Sequence, residues 1–114
     1  MYIAPTAFPT NFRVDMETLA DGTNLISPCG DLDMATSPLL ERRLVKAEAA
    51  SPPCVFVDLR GVEFMDSSGL QTLVAARKRA NRADYELVLL RGQDGVQRLF
   101  ELTGTLDLFT FGDA

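Results

Sequence analysis

Val55-Phe56-Val57-Asp58-Leu59-Arg60-Gly61-Val62-Glu63-Phe64-Met65-Asp66-Ser67-Ser68-Gly69-Leu70 is the stretch on which the fold turns. With Cys54 it begins as an apolar run carrying one acid, which suits a strand covered on both faces in a parallel sheet packed between helices. Gly61 turns the chain, Phe64 and Met65 return to the core, and Asp66 to Gly69 open a helix. Leu70, Leu73, Val74, Arg77 and Ala80 then recur at i, i+3, i+4, the spacing of one helical face. The unit is strand, turn, helix.

Working outward, the same alternation continues on both sides. Upstream, Phe12, Val14 and Met16 alternate with Arg13, Asp15 and Glu17, the period of a half-exposed strand. Asp21-Gly22 marks a turn into a second strand at Leu25-Ile26, so a hairpin is expected. Pro28 weakens the middle of that strand, and Gly30-Asp31-Leu32-Asp33 ends it. Thr36 or Ser37 can cap a helix with Pro38 near its first position, whose apolar face runs through Leu39, Leu40, Leu44, Val45 and Ala47. Ser51-Pro52-Pro53 stops it. Downstream, Tyr85 to Leu90 reads as another buried strand, and Val96, Leu99, Phe100 and Thr103 as a third helical stripe ended by Gly104. Leu106 to Phe109 suggests a last short strand or a packed tail. Residues 1–10 read as a flexible, Pro-broken tail before a single domain spanning 11–114. Alternating strands and helices imply an α/β fold with a mostly parallel sheet.

The chain has 114 residues, room for one compact domain. Its 16 acidic and 11 basic side chains give a formal charge of −5, a poor start for nucleic-acid binding, which relies on neutralising phosphates. Arg77-Lys78-Arg79 with Arg82 reads as the solvated face of a helix. There is no His, which removes Cys-His and Ser-His-Asp machinery and His-containing zinc sites. Cys29 and Cys54 read as buried free thiols. No signal peptide or 18-residue apolar segment is evident, so the cytoplasm is the expected location.

Few places remain for chemistry. No Gly-rich phosphate loop occurs, and the Asp31 and Asp33 pair reads as an ordinary solvated strand end. Asp66-Ser67-Ser68-Gly69 differs, because it opens a helix near the carboxyl edge of the sheet, where α/β folds bind ligands and partners. A hydroxyl there lies beside unpaired helix N–H groups, which would also receive a phosphate. Asp and Ser are equally the preferred helix caps, so a cap and a regulatory hydroxyl both remain open. A hydrolytic serine is excluded for want of a base.

The strand run with Val62 to Leu70 resembles the signature of the STAS domain family, and most closely its bacterial anti-sigma factor antagonists. Gly30-Asp31-Leu32-Asp33 resembles that family's G-E-L-D element, and Leu99 to Gly104 its late helix ending in T-G. The resemblance spans about residues 12–109. It implies a single STAS-like α/β domain, with helices packed on a mixed, mostly parallel sheet of four to five strands. It also implies a non-enzymatic partner switch without cofactor or metal. The unmodified protein would bind an anti-sigma factor that is also a serine kinase and so release a sigma factor. Ser67 would be the phosphorylated residue, a separate protein phosphatase would restore the binding form, and Asp31, Asp33, Asp66, Ser68, Gly69 and Leu70 would form the docking surface. Neither nucleic acid nor membrane insertion is implied. Pro28, Thr105 in place of the usual Leu after T-G, and a short C-terminal region that leaves little room for a closing helix depart from the pattern. A STAS subunit of a membrane lipid transporter, or another constitutive scaffold, is the alternative. A nucleotide or small-molecule binder is disfavoured by the acids around Ser67.

Overall fold

A computed structural model describes residues 12–112; the N-terminal segment read as a flexible tail lies outside the described residues. The elements are β1 (Arg13–Thr18), β2 (Asn24–Leu32), α1 (Ser37–Ala49), β3 (Cys54–Asp58), β4 (Val62–Met65), α2 (Ser67–Ala83), β5 (Glu86–Leu90), α3 (Asp94–Leu102), one 3-10 turn (Leu106–Leu108) and β6 (Thr110–Gly112). The sheet runs β1-β2-β3-β5-β6, with β4 also paired to β2. Among the described residues, only the β1–β2 hairpin is antiparallel. The α/β class therefore holds. Among the described residues the sheet has six strands where four to five were expected, because β4 and β6 are too short to announce themselves by periodicity.

Two details of β2 build the site. Its pairing with β3 stops at Ile26 and its pairing with β4 starts at Gly30. Pro28 lies in that gap, where a missing N–H forfeits no bond to either partner, so the strand passes through it unbroken. At Gly30 the backbone is left-handed (φ 111°), its N–H donates to Gly61 O at 2.9 Å, and the register shifts by a bulge before Asp31. Beyond the bulge Asp31 pairs with Phe64 and Leu32 with Met65. The Asp31–Asp33 segment thereby arrives beside the start of α2.

The helices cover one face of the sheet. Leu40 and Leu44 of α1, Leu73 and Ala76 of α2, and Val96 and Phe100 of α3 form one buried cluster with Ile26, Val55, Val57, Leu87 and Leu89. Phe111, in register with Leu89, meets Phe100 edge to face at 5.4 Å, as Phe109 also does. Among the described residues, β6 and this aromatic trio finish the sheet.

Two expectations about the core are corrected here. Among the described residues β3 is not covered by helices on both faces: Val55 and Val57 are buried, but Cys54, Phe56 and Asp58 are only half-buried. Its second face is apolar because Phe56 packs beside Val88, Leu90 and Gly112 of its neighbours, not because a helix lies there. Phe64 does not return to the core. Successive strand residues point to opposite sides, so Met65 is buried while Phe64 stays half exposed. Cys29 and Cys54 are free thiols, but half-buried.

Candidate functional site

The start of α2 divides its tasks among neighbouring residues. Asp66 is the N-cap, in extended conformation (φ −106°, ψ −171°), and its Oδ1 accepts from the amides of Ser68 (2.8 Å) and Gly69 (3.4 Å). That is the geometry expected of a capping carboxylate. Ser67, the first helical residue, is exposed, and its hydroxyl makes no hydrogen bond among the described residues. The side-chain cap is supplied by Asp66, and the Ser67 hydroxyl takes no part in it.

Ser68 is half-buried, and its carbonyl accepts from Thr72 Oγ1 at 3.1 Å. Gly69 is buried so tightly that a Cβ there would lie 2.8 Å from Leu32 Cγ and 2.8 Å from Met65 Cγ. Leu70 is 6% exposed and belongs to the core. These two residues hold α2 down on β2 and β4, and they shape the surface from beneath.

The second segment is locked beside the first. Asp66 N donates to Leu32 O at 3.2 Å, joining the strand end directly to the cap. Asp33 Oδ1 accepts from the amides of Ala35 (2.9 Å) and Thr36 (3.1 Å). Thr36 Oγ1 accepts from Asp33 N (2.9 Å) and donates to Asp31 O (2.7 Å). Thr36 thus occupies the N-cap position of α1 without a side-chain capping bond, and its hydroxyl serves the preceding turn instead. Asp31 is exposed and Asp33 half-buried. Among the described residues, none of Asp31, Asp33 and Asp66 forms an ion pair. The surface around Ser67 is therefore acidic, with Ser67 as its unengaged hydroxyl.

Sequence reasoning gave Met34 and Ser37, beside this turn, no functional role. Met34 is 76% exposed, and Ser37 is buried with its Oγ lacking a hydrogen-bond partner. Among the described residues no group of three acidic or thiol side chains is arranged to hold a metal, and no helix is long and apolar enough to cross a membrane.

This architecture, a bulged strand end clasped to a capped helix start, matches a known family. The STAS domain model covers residues 16–114, and the chain belongs to the STAS domain family. An anti-sigma-B factor antagonist of Staphylococcus aureus is 40% identical over 79 residues, covering 69% of this chain and 73% of that protein. A crystal structure of an anti-sigma factor antagonist from Mycobacterium paratuberculosis superposes with a TM-score of 0.81 at 29% identity, over 97% of this chain and 90% of the other. SpoIIAA, an anti-sigma factor antagonist solved in its unphosphorylated form, superposes at 0.74 with 18% identity over 88% of each chain. SpoIIAA in its phosphorylated form superposes at 0.69 with 17% identity, over 88% of this chain and 91% of the other. At that identity both SpoIIAA structures speak to the fold alone.

Proposed function

We propose that this chain is an anti-sigma factor antagonist, a partner-switching regulator controlled by phosphorylation of Ser67. The observation that carries this reading is the exposed, unbonded hydroxyl at the first position of α2, directly after a cap supplied by Asp66. The relatives named as antagonists support it. In this reading the chain acts in the cytoplasm and catalyses nothing. An anti-sigma factor with serine kinase activity adds the phosphate, and a protein phosphatase removes it. Unphosphorylated, the chain holds the anti-sigma factor and a sigma factor is set free.

The energetics are those of a local switch. A phosphate adds about 1.5–2 negative charges and three acceptor oxygens. On the free protein it sits in water at the positive end of α2, which offsets its charge by roughly 0.3–1 kcal/mol. Under a docked partner it must be desolvated beside Asp66, Asp31 and Asp33. A coupling of about 1–3 kcal/mol between modification and binding changes affinity about 5- to 150-fold without refolding. Asp31, Asp33 and Ser68 supply the polar rim of the docking surface, while Gly69 and Leu70 fix its shape.

Incubation with ATP and each anti-sigma factor kinase of the same genome, followed by mass-spectrometric mapping, tests the reading. One phosphate on Ser67, absent from Ser67→Ala, is expected. Phosphate confined to other residues, or none with any kinase, would overturn it.

A further inference from the structure

The run Arg77-Lys78-Arg79 with Arg82, which reads from sequence as a solvated helix face, is part of a larger charged surface in the fold. Helices α1 and α2 carry seven basic side chains and two acidic ones, a net +5, so the rest of the −5 chain carries −10. Both acids, Glu41 and Glu48, are taken by the single guanidinium of Arg79. Arg42, Lys46, Lys78 and Arg82 are exposed, and among the described residues none of them forms an ion pair. Arg42 and Lys46 lie four apart on α1, and Lys78 and Arg82 four apart on α2, so each pair shares one face of its helix. Leu40 and Leu44 on α1, and Leu73, Ala76 and Ala80 on α2, form the opposite, buried faces. Lys46 and Arg82 complement the negative ends of their helices, but Arg42 and Lys78 lie a turn or more further back, and like charges four apart repel.

The charge pattern specifies what would dock there. An extended polyanion, such as a nucleic acid or an anionic bilayer, would also meet the −10 of the remaining surface. A compact acidic patch would meet the helices alone. The chain carries such a patch: Asp31, Asp33 and Asp66 around Ser67, unpaired among the described residues. Ser67 opens α2, and Lys78 and Arg82 lie about 17 and 23 Å further along it at about 1.5 Å per residue. Charges are screened over about 8 Å at physiological ionic strength, so the two patches do not neutralise each other within one copy. The same screening weakens the net repulsion between two copies and spares contacts at close range.

We propose that the outward face of α1 and α2 docks the acidic, Ser67-bearing face of a second copy of this chain. The contact joins two different patches, so it is head-to-tail and leaves one free patch at each end unless a ring closes. It does not depend on the antagonist reading. Where that reading holds, self-association and the anti-sigma factor compete for the face around Ser67.

Sedimentation velocity of the full chain at about 0.1 M and about 1 M salt tests this, since the screening length falls from about 10 to about 3 Å between them. The wild type should sediment faster as its concentration rises at the lower salt and remain monomeric at the higher. Lys78→Glu/Arg82→Glu removes the basic patch, and Asp31→Lys/Ser67→Lys the acidic one. Each double variant should be monomeric alone, with the circular dichroism of the wild type. Mixed in equal amounts, the two should form a 1:1 pair and nothing larger, because each supplies the patch the other lacks. A wild type that stays monomeric at the lower salt overturns the proposal, and so does association that survives either double variant or about 1 M salt. Two variants that remain monomeric when mixed overturn it as well.

Discussion

Replacing Asp66 by Ala removes the acceptor for the Ser68 and Gly69 amides, and a lost cap of this kind costs about 0.5–2 kcal/mol. Ser67→Ala removes no hydrogen bond and should change stability by less than about 0.5 kcal/mol. Ser67→Asp places a negative charge at the first helical position and should hold stability or raise it by roughly 0.3–1 kcal/mol. Urea denaturation of the three variants checks the set. A loss on Ser67→Ala comparable with that on Asp66→Ala would mean the hydroxyl serves the fold. Sequence brought these residues together as a helix start but could not assign them, because Asp and Ser are both good caps and only backbone geometry shows which one is used. Leu70 shows the opposite ambiguity: adjacency to Ser67 suggested surface, whereas the helical turn sends its side chain into the core.

At the level of elements, the close approach of α2 to the sheet depends on Gly69. Ala at a helical position is ordinarily favoured over Gly by up to about 1 kcal/mol. Here the added Cβ would press on Leu32 and Met65, and overpacking of a filled core costs about 1–3 kcal/mol. Gly69→Ala should therefore lower the urea midpoint; a rise would show that the contact yields freely. The long elements were legible because their apolar spacing is imposed by the core: α2 presents Leu70, Leu73 and Ala80 inward much as its pattern says. The bulge at Gly30 and strand β4 were not. They arise where β2 exchanges one parallel neighbour for another, a pairing over distance that leaves no periodic trace in four residues. The site depends on that exchange, since it sets Asp31 and Asp33 beside Asp66.

For the whole molecule, α1 and α2 are also clamped to each other by ion pairs. Arg79 on α2 reaches Glu41 (3.0 Å) and Glu48 (2.8 Å) on α1. Tyr85, where α2 hands over to β5, has its phenol pKa raised, chiefly by burial and then by Glu48. The unfolded chain releases that proton near pH 10, the ordinary tyrosine value, while the folded chain retains it to higher pH. This contribution is thus fully present below about pH 10 and is lost as the solution becomes more alkaline. Tyr85→Phe should flatten the decline of stability above about pH 10; an unchanged alkaline limb would contradict the shift. The clamp ties the helix that carries Ser67 to α1. The central claim is that phosphorylation acts on docking and not on folding. Its most direct test is the affinity of the anti-sigma factor for the chain before and after stoichiometric phosphorylation of Ser67, measured by titration calorimetry. The account predicts a weakening of about 5- to 150-fold with the fold intact by circular dichroism. Equal affinity of the two forms would contradict it and leave the constitutive scaffold as the better reading.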